Sequence, residues 1–188
     1  MALKVIPYLL LLVAAALTFW LAKHLNTDSN ATPSSHQRSP DYFSKDFKLT
    51  EMNPDGSPKQ TLASEHLSHY DDNDTTYLKK PVLTLFDPIM PPWVIRSEMG
   101  NLSANGKNIN LDGKVTIDRA ANRKTKAIKI ITRNLRVQPK IEYAETDEAV
   151  EITNPPHRVT GVGMRGYFTK DALKLSLLSN VQGKYEIQ

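Results

Sequence analysis

The side chains with the richest chemistry sit close together: His66 and His69 beside Asp71, Asp72 and Asp74. Imidazoles and carboxylates at this density are the raw material of a zinc or other divalent site. Their spacing argues against one. Residues three apart on an extended strand point to opposite faces, so the two imidazoles do not converge, and a solvated strand and turn is expected. Gly161-Val162-Gly163-Met164-Arg165-Gly166 mimics a dinucleotide loop, but the strand–turn–helix setting that gives such a loop its meaning is missing around it. No Gly-x-Ser-x-Gly or His-Glu-x-x-His stretch occurs, and no carboxylate pair is placed by spacing. The absence of cysteine removes thiolate nucleophiles, thiolate metal ligands and disulfides. The expectation is a protein that is not an enzyme and holds no metal and no cofactor.

The elements that would position any site begin with residues 5–22, a run of 18 residues without a charge that ends at Lys23-His24. As a helix it spans roughly 27 Å, close to the hydrocarbon thickness of a bilayer, with Trp20 and Lys23 placed as interface anchors. Trp20 stands where a signal-peptidase site after Ala22 needs a small residue, so a retained transmembrane anchor over residues 1–24 is expected. Lys4 favours a cytoplasmic N-terminus. Residues 25–41 are polar, carry two prolines and show no apolar period, which reads as a flexible linker. Residues 42–188 suffice for one domain with a single core. The net charge of +4 is dispersed, and Arg123-Lys124-Thr125-Lys126 is the densest basic run, which does not amount to a nucleic-acid site.

From Tyr42 onward the pattern is strands and turns. Asn53-Pro54-Asp55-Gly56 fits a type I turn closed by a left-handed glycine. The predicted register sets Asn53 against Ser57, Leu49 against Thr61, Phe47 against Ala63 and Phe43 against Leu67, and opposes Glu51 to Lys59 and Lys45 to Glu65. Tyr77 to Phe86 reads as one strand, with Leu83 and Leu85 on one face. A two-residue hairpin at Asp112-Gly113 would mismatch the apolar sides; a bulge or a corner between sheets lets Leu111, Val115 and Ile117 share one core. Many short strands follow, and the class is an all-β sandwich, barrel or roll. The last strand carries no proline and offers a pairing edge. The apolar positions Phe43, Phe47, Leu49, Leu62, Leu67, Leu78, Leu83, Leu85, Ile109 and Leu111 fit either a dry core or an inner face open to acyl chains.

The N-terminal anchor and linker, Tyr42 ahead of Asn53-Pro54-Asp55-Gly56, Leu62-Ala63-Ser64-Glu65-His66, Tyr70, Lys80-Pro81-Val82-Leu83-Thr84-Leu85-Phe86-Asp87, Leu111-Asp112-Gly113-Lys114-Val115, Met164-Arg165-Gly166 and the terminal Tyr185-Glu186-Ile187-Gln188 together resemble the LptC family of lipopolysaccharide export. Asn154-Pro155-Pro156 departs from the family pattern, where a glycine is expected. The resemblance implies an open, V-shaped, two-sheet β-jelly-roll in the periplasm, held at the inner membrane through residues 5–22. It further implies a carrier that accepts lipopolysaccharide from the ABC transporter LptB/LptF/LptG and passes it to LptA. Phe47, Leu78, Leu175 and Tyr185 would face lipid, with Leu49, Leu62, Leu83 and Leu85 as further candidates on the inner face. Val181, Lys184, Tyr185, Glu186 and Ile187 would form the LptA-facing edge. Gly56, Gly113 and Gly166 would serve as structural turns. The alternative is a membrane-anchored scaffolding β-domain that binds only protein partners.

Overall fold

The computed structural model describes residues 6–26, 39–103, 106–123, 125–168 and 173–185. Most of the expected linker, Val5, Asn105 (which with Gly106 is a further turn signal in the sequence), Lys124 of the basic run, Glu186 and Ile187 lie outside the described residues. The chain divides into two units, Met1–Ser39 and Pro40–Gln188.

In the first unit, helix α1 covers Ile6–Asn26. Pro7 sits in its first turn, where a missing N–H costs nothing. Thr18 turns its hydroxyl back to Ala14 O and Ala15 O, both at 3.0 Å, so its one polar side-chain group is satisfied within the helix. Val13, Leu17, Phe19, Trp20 and Leu21 are exposed. Among the described residues no helix is long and apolar enough to cross a membrane, so the span expected over residues 5–22 rests on the sequence.

The second unit holds ten antiparallel strands: β1 (Tyr42–Met52), β2 (Pro58–Tyr70), β3 (Thr75–Lys79), β4 (Val82–Leu85), β5 (Trp93–Leu102), β6 (Ile109–Arg119), β7 (Ile128–Gln138), β8 (Tyr143–Asn154), β9 (His157–Phe168) and β10 (Leu173–Lys184). They join into one hydrogen-bonded sheet of order β1-β2-β3-β5-β6-β7-β8-β9-β10, with β4 paired to β2 and β5. The first hairpin turns where its sequence says it should. Gly56 has φ +81°, Gly56 N donates to Asn53 O at 2.9 Å, and Asn53 N donates to Ser57 O at 2.8 Å.

The expected register fails one step beyond that turn. Met52 pairs with Pro58, but then Glu51 pairs with Gln60, Leu49 with Leu62, Phe47 with Ser64 and Phe43 with Ser68. Lys59 is the extra residue of a bulge, and its carbonyl is drawn away by Phe86 N at 3.0 Å. Pro58 has no N–H to hold a closely spaced pair beside it. Lys59 still reaches Glu51 at 2.8 Å. The pairing of Lys45 with Glu65 does not form, because the shifted register sets Lys45 opposite His66; Glu65 takes Lys80 at 2.7 Å.

The expected short strands are also corrected. Eight of the ten strands run to ten residues or more, and what looked like ends are irregularities inside them. They lie in a line across the sheet. Asp46 in β1, Lys80 between β3 and β4, Gly113 in β6, Asn134 in β7, Gly163 in β9 and Asn180 in β10 have positive φ. The register shifts at Ser97/Met99 in β5, Leu111/Lys114 in β6, Ile131/Arg136 in β7, Thr146/Ala149 in β8 and Ser179/Gln182 in β10. Lys80 and Pro81 thus split the strand expected over Tyr77 to Phe86. In β7 the buried positions are Ile130 and Thr132, then Leu135 and Val137; in β9 they are Gly161 and Gly163, then Met164, Gly166 and Phe168. The alternation changes phase in mid-strand, which reads in sequence as a break between two strands.

Polar side chains take up the backbone groups freed along this line. Ser97 Oγ donates to Met99 O at 2.7 Å, Thr132 Oγ1 to Ala149 O at 2.9 Å and Thr146 Oγ1 to Arg133 O at 2.7 Å. Gly113 N donates to Asn134 Oδ1 at 3.1 Å, and Asn134 Nδ2 to Glu148 Oε1 at 2.8 Å.

The sheet folds along this line. Pairing sets Leu85, Trp93, Arg119 and Ile128 at one end of the strands, and Leu102, Ile109 and Val137 at the other. Trp93 nevertheless meets Phe168, the last residue of β9, at 5.1 Å between ring centroids, although β6, β7 and β8 separate their strands. The two walls are therefore halves of one sheet, not the separate sheets expected, and Asp112-Gly113 is a bulge within β6 instead of a corner between sheets. Leu111, Val115 and Ile117 all enter the single core, together with Leu78, Leu83, Ile95, Ile130, Leu135 and Met164.

Gly166 is not a turn residue. It lies within β9 opposite Ala144 and Leu175, and a Cβ there would meet only ordinary contacts, the nearest at 3.5 Å. Gly163, with φ +75°, would set a Cβ 2.8 Å from Leu178 Cδ1. Gly163→Ala is expected to cost about 1–2 kcal/mol, and Gly166→Ala to stay within about 1 kcal/mol. Urea unfolding of both variants checks this; equal losses would refute the special role of Gly163 in the fold line.

Candidate functional site

The eight positions expected to face lipid separate into three groups. Leu62, Leu78, Leu83 and Leu85 are buried in the core. Phe47 on β1 and Leu175 on β10 are partly buried and pack against that core from opposite edges of the sheet. Leu49 and Tyr185 are exposed. The division follows from topology. β1 and β10 each have a neighbour on one side only, so their inner-facing side chains are half covered, while the middle strands have a wall opposite them.

Leu49 borders a cavity of about 170 Å³ lined also by Leu62, Leu83, Leu102, Ile109 and Pro139. Leu49, Leu62 and Leu83 come from one wall and Leu102, Ile109 and Pro139 from the opposite one, so the cavity is the folded sheet's interior reaching the surface beside β1. Leu102 and Pro139 escaped the sequence reading; Pro139 belongs to a 3-10 turn (Pro139–Ile141), which carries no strand alternation to betray it. Glu51, Gln60, Gly106 and Lys140 complete the lining. The hydrogen bond from Lys59 holds the Glu51 carboxyl below its usual range, and Gln60 Nε2 donates to it at 2.6 Å.

Tyr185 does not reach this interior. β10 ends at Lys184, and the Tyr185 ring lies beside Gly183 and 5.4 Å from the His157 ring. Of the expected partner-binding residues, Val181, Lys184 and Tyr185 are exposed, while Glu186 and Ile187 lie outside the described residues. Both edge strands carry unpaired backbone groups along one side and no proline, the condition for accepting a strand.

Among the described residues no group of three or more His, Asp or Glu side chains is placed to hold a metal ion. The expectation of a solvated histidine turn needs correction all the same. His69 is buried: its Nδ1 lies 2.9 Å from Thr76 Oγ1 and its Nε2 3.2 Å from Asp71 Oδ1, and its ring stacks on Tyr42 at 4.5 Å. Asp41 N donates to His69 O at 2.9 Å, and Asp71 N donates to the Asp41 carboxylate. This clasp fastens the start of β1. His66, as its strand position requires, packs elsewhere, against Phe43 at 5.8 Å.

Another polar group braces β7 against β8. Arg136 reaches Glu145 at 3.0 Å and Asp147 at 3.1 Å, and the Tyr143 hydroxyl donates to Glu145 at 2.9 Å. The hydrogen bonds from Tyr143 and Arg136 hold the Glu145 carboxyl below its usual range. Those from Asp147 and Glu145 raise Arg136.

The lipopolysaccharide-assembly, LptC-related family matches this chain over residues 8–186. The lipopolysaccharide export system protein LptC of Escherichia coli K12 is 26% identical over 163 residues, covering 86% of this chain and 83% of that protein. Its counterpart from Shigella flexneri gives the same figures. Among solved structures, LptH of Pseudomonas aeruginosa, the LptA-homologous periplasmic component of a lipopolysaccharide transport device, superposes with a TM-score of 0.52 at 7% identity, over 68% of this chain and 95% of that one. At that identity the likeness is one of fold.

The carboxylates set a direction for stability against pH. A folded-state pKa below the unfolded one contributes stability that is present above the unfolded value and lost as pH falls through the folded one. Unfolding free energy should therefore decline on acidification below about pH 4.5, the ordinary value for Glu51 and Glu145. Arg136→Gln should shrink the Glu145 share, an effect held below about 1 kcal/mol by solvent exposure. Urea unfolding between pH 3 and pH 7 (roughly one point per half unit) compares the two slopes, and identical slopes would dismiss the Arg136 contribution.

Proposed function

Because the chain belongs to the lipopolysaccharide-assembly, LptC-related family, we propose that it is the membrane-anchored carrier that accepts lipopolysaccharide from the inner-membrane transporter LptB/LptF/LptG and passes it to the periplasmic bridge protein LptA. The family is a transport component and not a known enzyme family. The observation that carries the reading is an apolar inner face that runs from edge to edge, buried in the middle strands and half covered at Phe47 and Leu175. An acyl chain crossing an aqueous compartment costs near 0.8 kcal/mol for each CH₂ left in water. A folded sheet whose interior reaches both edges offers shelter without a closed barrel to break.

In this reading residues 1–24 anchor the chain in the inner membrane with the N-terminus cytoplasmic. The uncharged run over residues 5–22 and the helical backbone of Ile6–Asn26 support the anchor. Residues 25–41 serve as the tether, and residues 42–188 form the periplasmic roll. The two walls of the roll are the halves of the folded sheet, joined along the fold line and touching again where Trp93 meets Phe168. The free side of β10, at Val181, Lys184 and Tyr185, continues the sheet into LptA by strand addition. Nothing is hydrolysed here; the transporter supplies the energy and this chain supplies the path.

A scaffolding domain with a dry core is favoured by a different observation, the near-complete burial of Leu78, Leu83, Ile95, Leu111 and Ile117. Crosslinking separates the two readings. A photo-crosslinker at Phe47 or Leu49 should label lipopolysaccharide in cells, and one at Lys48, on the other face of β1, should not. Labelling from Lys48 alone, or from none of the three, would leave the scaffold. For the edge, Val181→Lys places a charge where strand addition needs an open row. Capture of LptA should fall at least about tenfold, while domain stability shifts by under about 0.5 kcal/mol. Undiminished capture would reject this edge.

A further inference from the structure

Where the two walls meet at the strand ends, Arg119, the last residue of β6, sits over the Trp93 ring with its guanidinium carbon 4.6 Å from the centroid. Trp93 in turn meets Phe168 of the opposite wall edge to face at 5.1 Å. Arg119 Nη1 approaches Met90 Sδ at 3.7 Å, a weak acceptor, and its buried Nε has no hydrogen-bond partner. The cavity it lines, with Lys59, Trp93 and Phe168, measures about 20 Å³, enough for a single water. A water would satisfy the Nε–H and leave the charge unpaired.

The carboxylates nearby are otherwise engaged or too distant. Asp87 lines the same cavity, but its Oδ1 accepts from Ile89 N and Met90 N, both at 2.7 Å. Glu51 is held by Lys59 at 2.8 Å. Glu142 is part of the lining, yet no ion pair joins it to Arg119 among the described residues. Arg119 is thus a planar, permanently charged fork at the rim, with two aromatic rings and the apolar core directly behind it. That order, anion receptor outside and hydrocarbon inside, is the order of an anionic amphiphile.

We infer that Arg119 recognises a phosphate on the headgroup of an acylated glycolipid. Pairing with that phosphate draws the guanidinium off Trp93, which loosens the Trp93–Phe168 seal between the walls. The fork geometry of arginine suits a phosphate, where both can form parallel hydrogen bonds. The inference rests on the reading of the roll as a lipopolysaccharide carrier and adds the residue that selects the headgroup.

Trp93 is one of two tryptophans, so the full chain carrying Trp20→Phe reports on this seam by fluorescence. Titration in detergent micelles compares bisphosphorylated lipid A, the same lipid enzymatically dephosphorylated, and inorganic phosphate. Phosphorylated lipid A should shift Trp93 emission and bind about tenfold more tightly than the dephosphorylated form. Arg119→Gln should erase that ratio, and Arg119→Lys, which keeps the charge without the fork, should restore part of it. An unchanged ratio in Arg119→Gln, or an emission that phosphorylated lipid leaves still, overturns the inference. So does saturation by inorganic phosphate with the full emission shift, which would mean a free-anion site. Should Arg119→Gln fail to fold, Arg119→Lys carries the decision: a ratio equal to the parent's refutes a role for the fork. Crosslinking from Phe47 keeps the two levels apart. Lipid labelling there with indifferent Arg119 variants sinks this inference alone, whereas no labelling sinks the carrier reading beneath it.

Discussion

A long antiparallel sheet cannot bury one of its faces by itself; it must find another layer or fold over. In this domain the second layer is the sheet's own other half, and the line of mid-strand bulges makes that possible. Each bulge adds a residue or a left-handed turn that a flat ladder would not tolerate, and the accumulated bend brings the strand end holding Trp93 against the strand end holding Phe168. The cost is a set of backbone groups released from the ladder in the least hydrated part of the molecule. Ser97, Thr132 and Thr146, three of the few polar residues in the interior, sit where those groups need partners, which accounts for hydroxyls in an otherwise apolar core.

The same line dictates how the interior meets its surroundings. Walls that are halves of one sheet are tied together along the bend, so separation is possible only at the strand ends and at the two edges. At the strand ends the closure is a pair of aromatic rings with an arginine laid across one of them. At the edges there is no closure, only the half-covered side chains of β1 and β10. The hydrophobic positions are therefore unequal. Leu83 and Leu111 hold the walls together, while Phe47, Leu49 and Leu175 stand where a hydrocarbon chain or a further strand would arrive first.

Local signals in the sequence were read correctly where the relevant physics is local. The Asn53-Pro54-Asp55-Gly56 turn and the convergence of Leu111, Val115 and Ile117 across Asp112-Gly113 depend on backbone conformations and side-chain parity within a few residues. The register beyond the turn does not, since at the Lys59 bulge the carbonyl is taken by the N–H of Phe86, which follows β4 and lies 27 positions away in the chain. The histidines divide in the same way. Strand geometry was enough to keep His66 and His69 apart, but the burial of His69 requires Tyr42, Asp71 and Thr76 to close round it from three segments.

What the amino-acid sequence determined by itself was the class: an uncharged N-terminal run, a polar stretch after it, β-strands with turn residues between them, and a family likeness that the match over residues 8–186 bears out. Tertiary structure alone decided which apolar side chains are sealed and which are rim, where the strands really end, and that Arg119, Trp93 and Phe168 form one seam. The physical reason is that alternation reports the side of a strand to which a residue points, and nothing about what stands across from it. In a sheet folded upon itself the opposing layer comes from strands several places along, and its position is set by the sum of many small bends, none of which is visible in any one stretch of the chain.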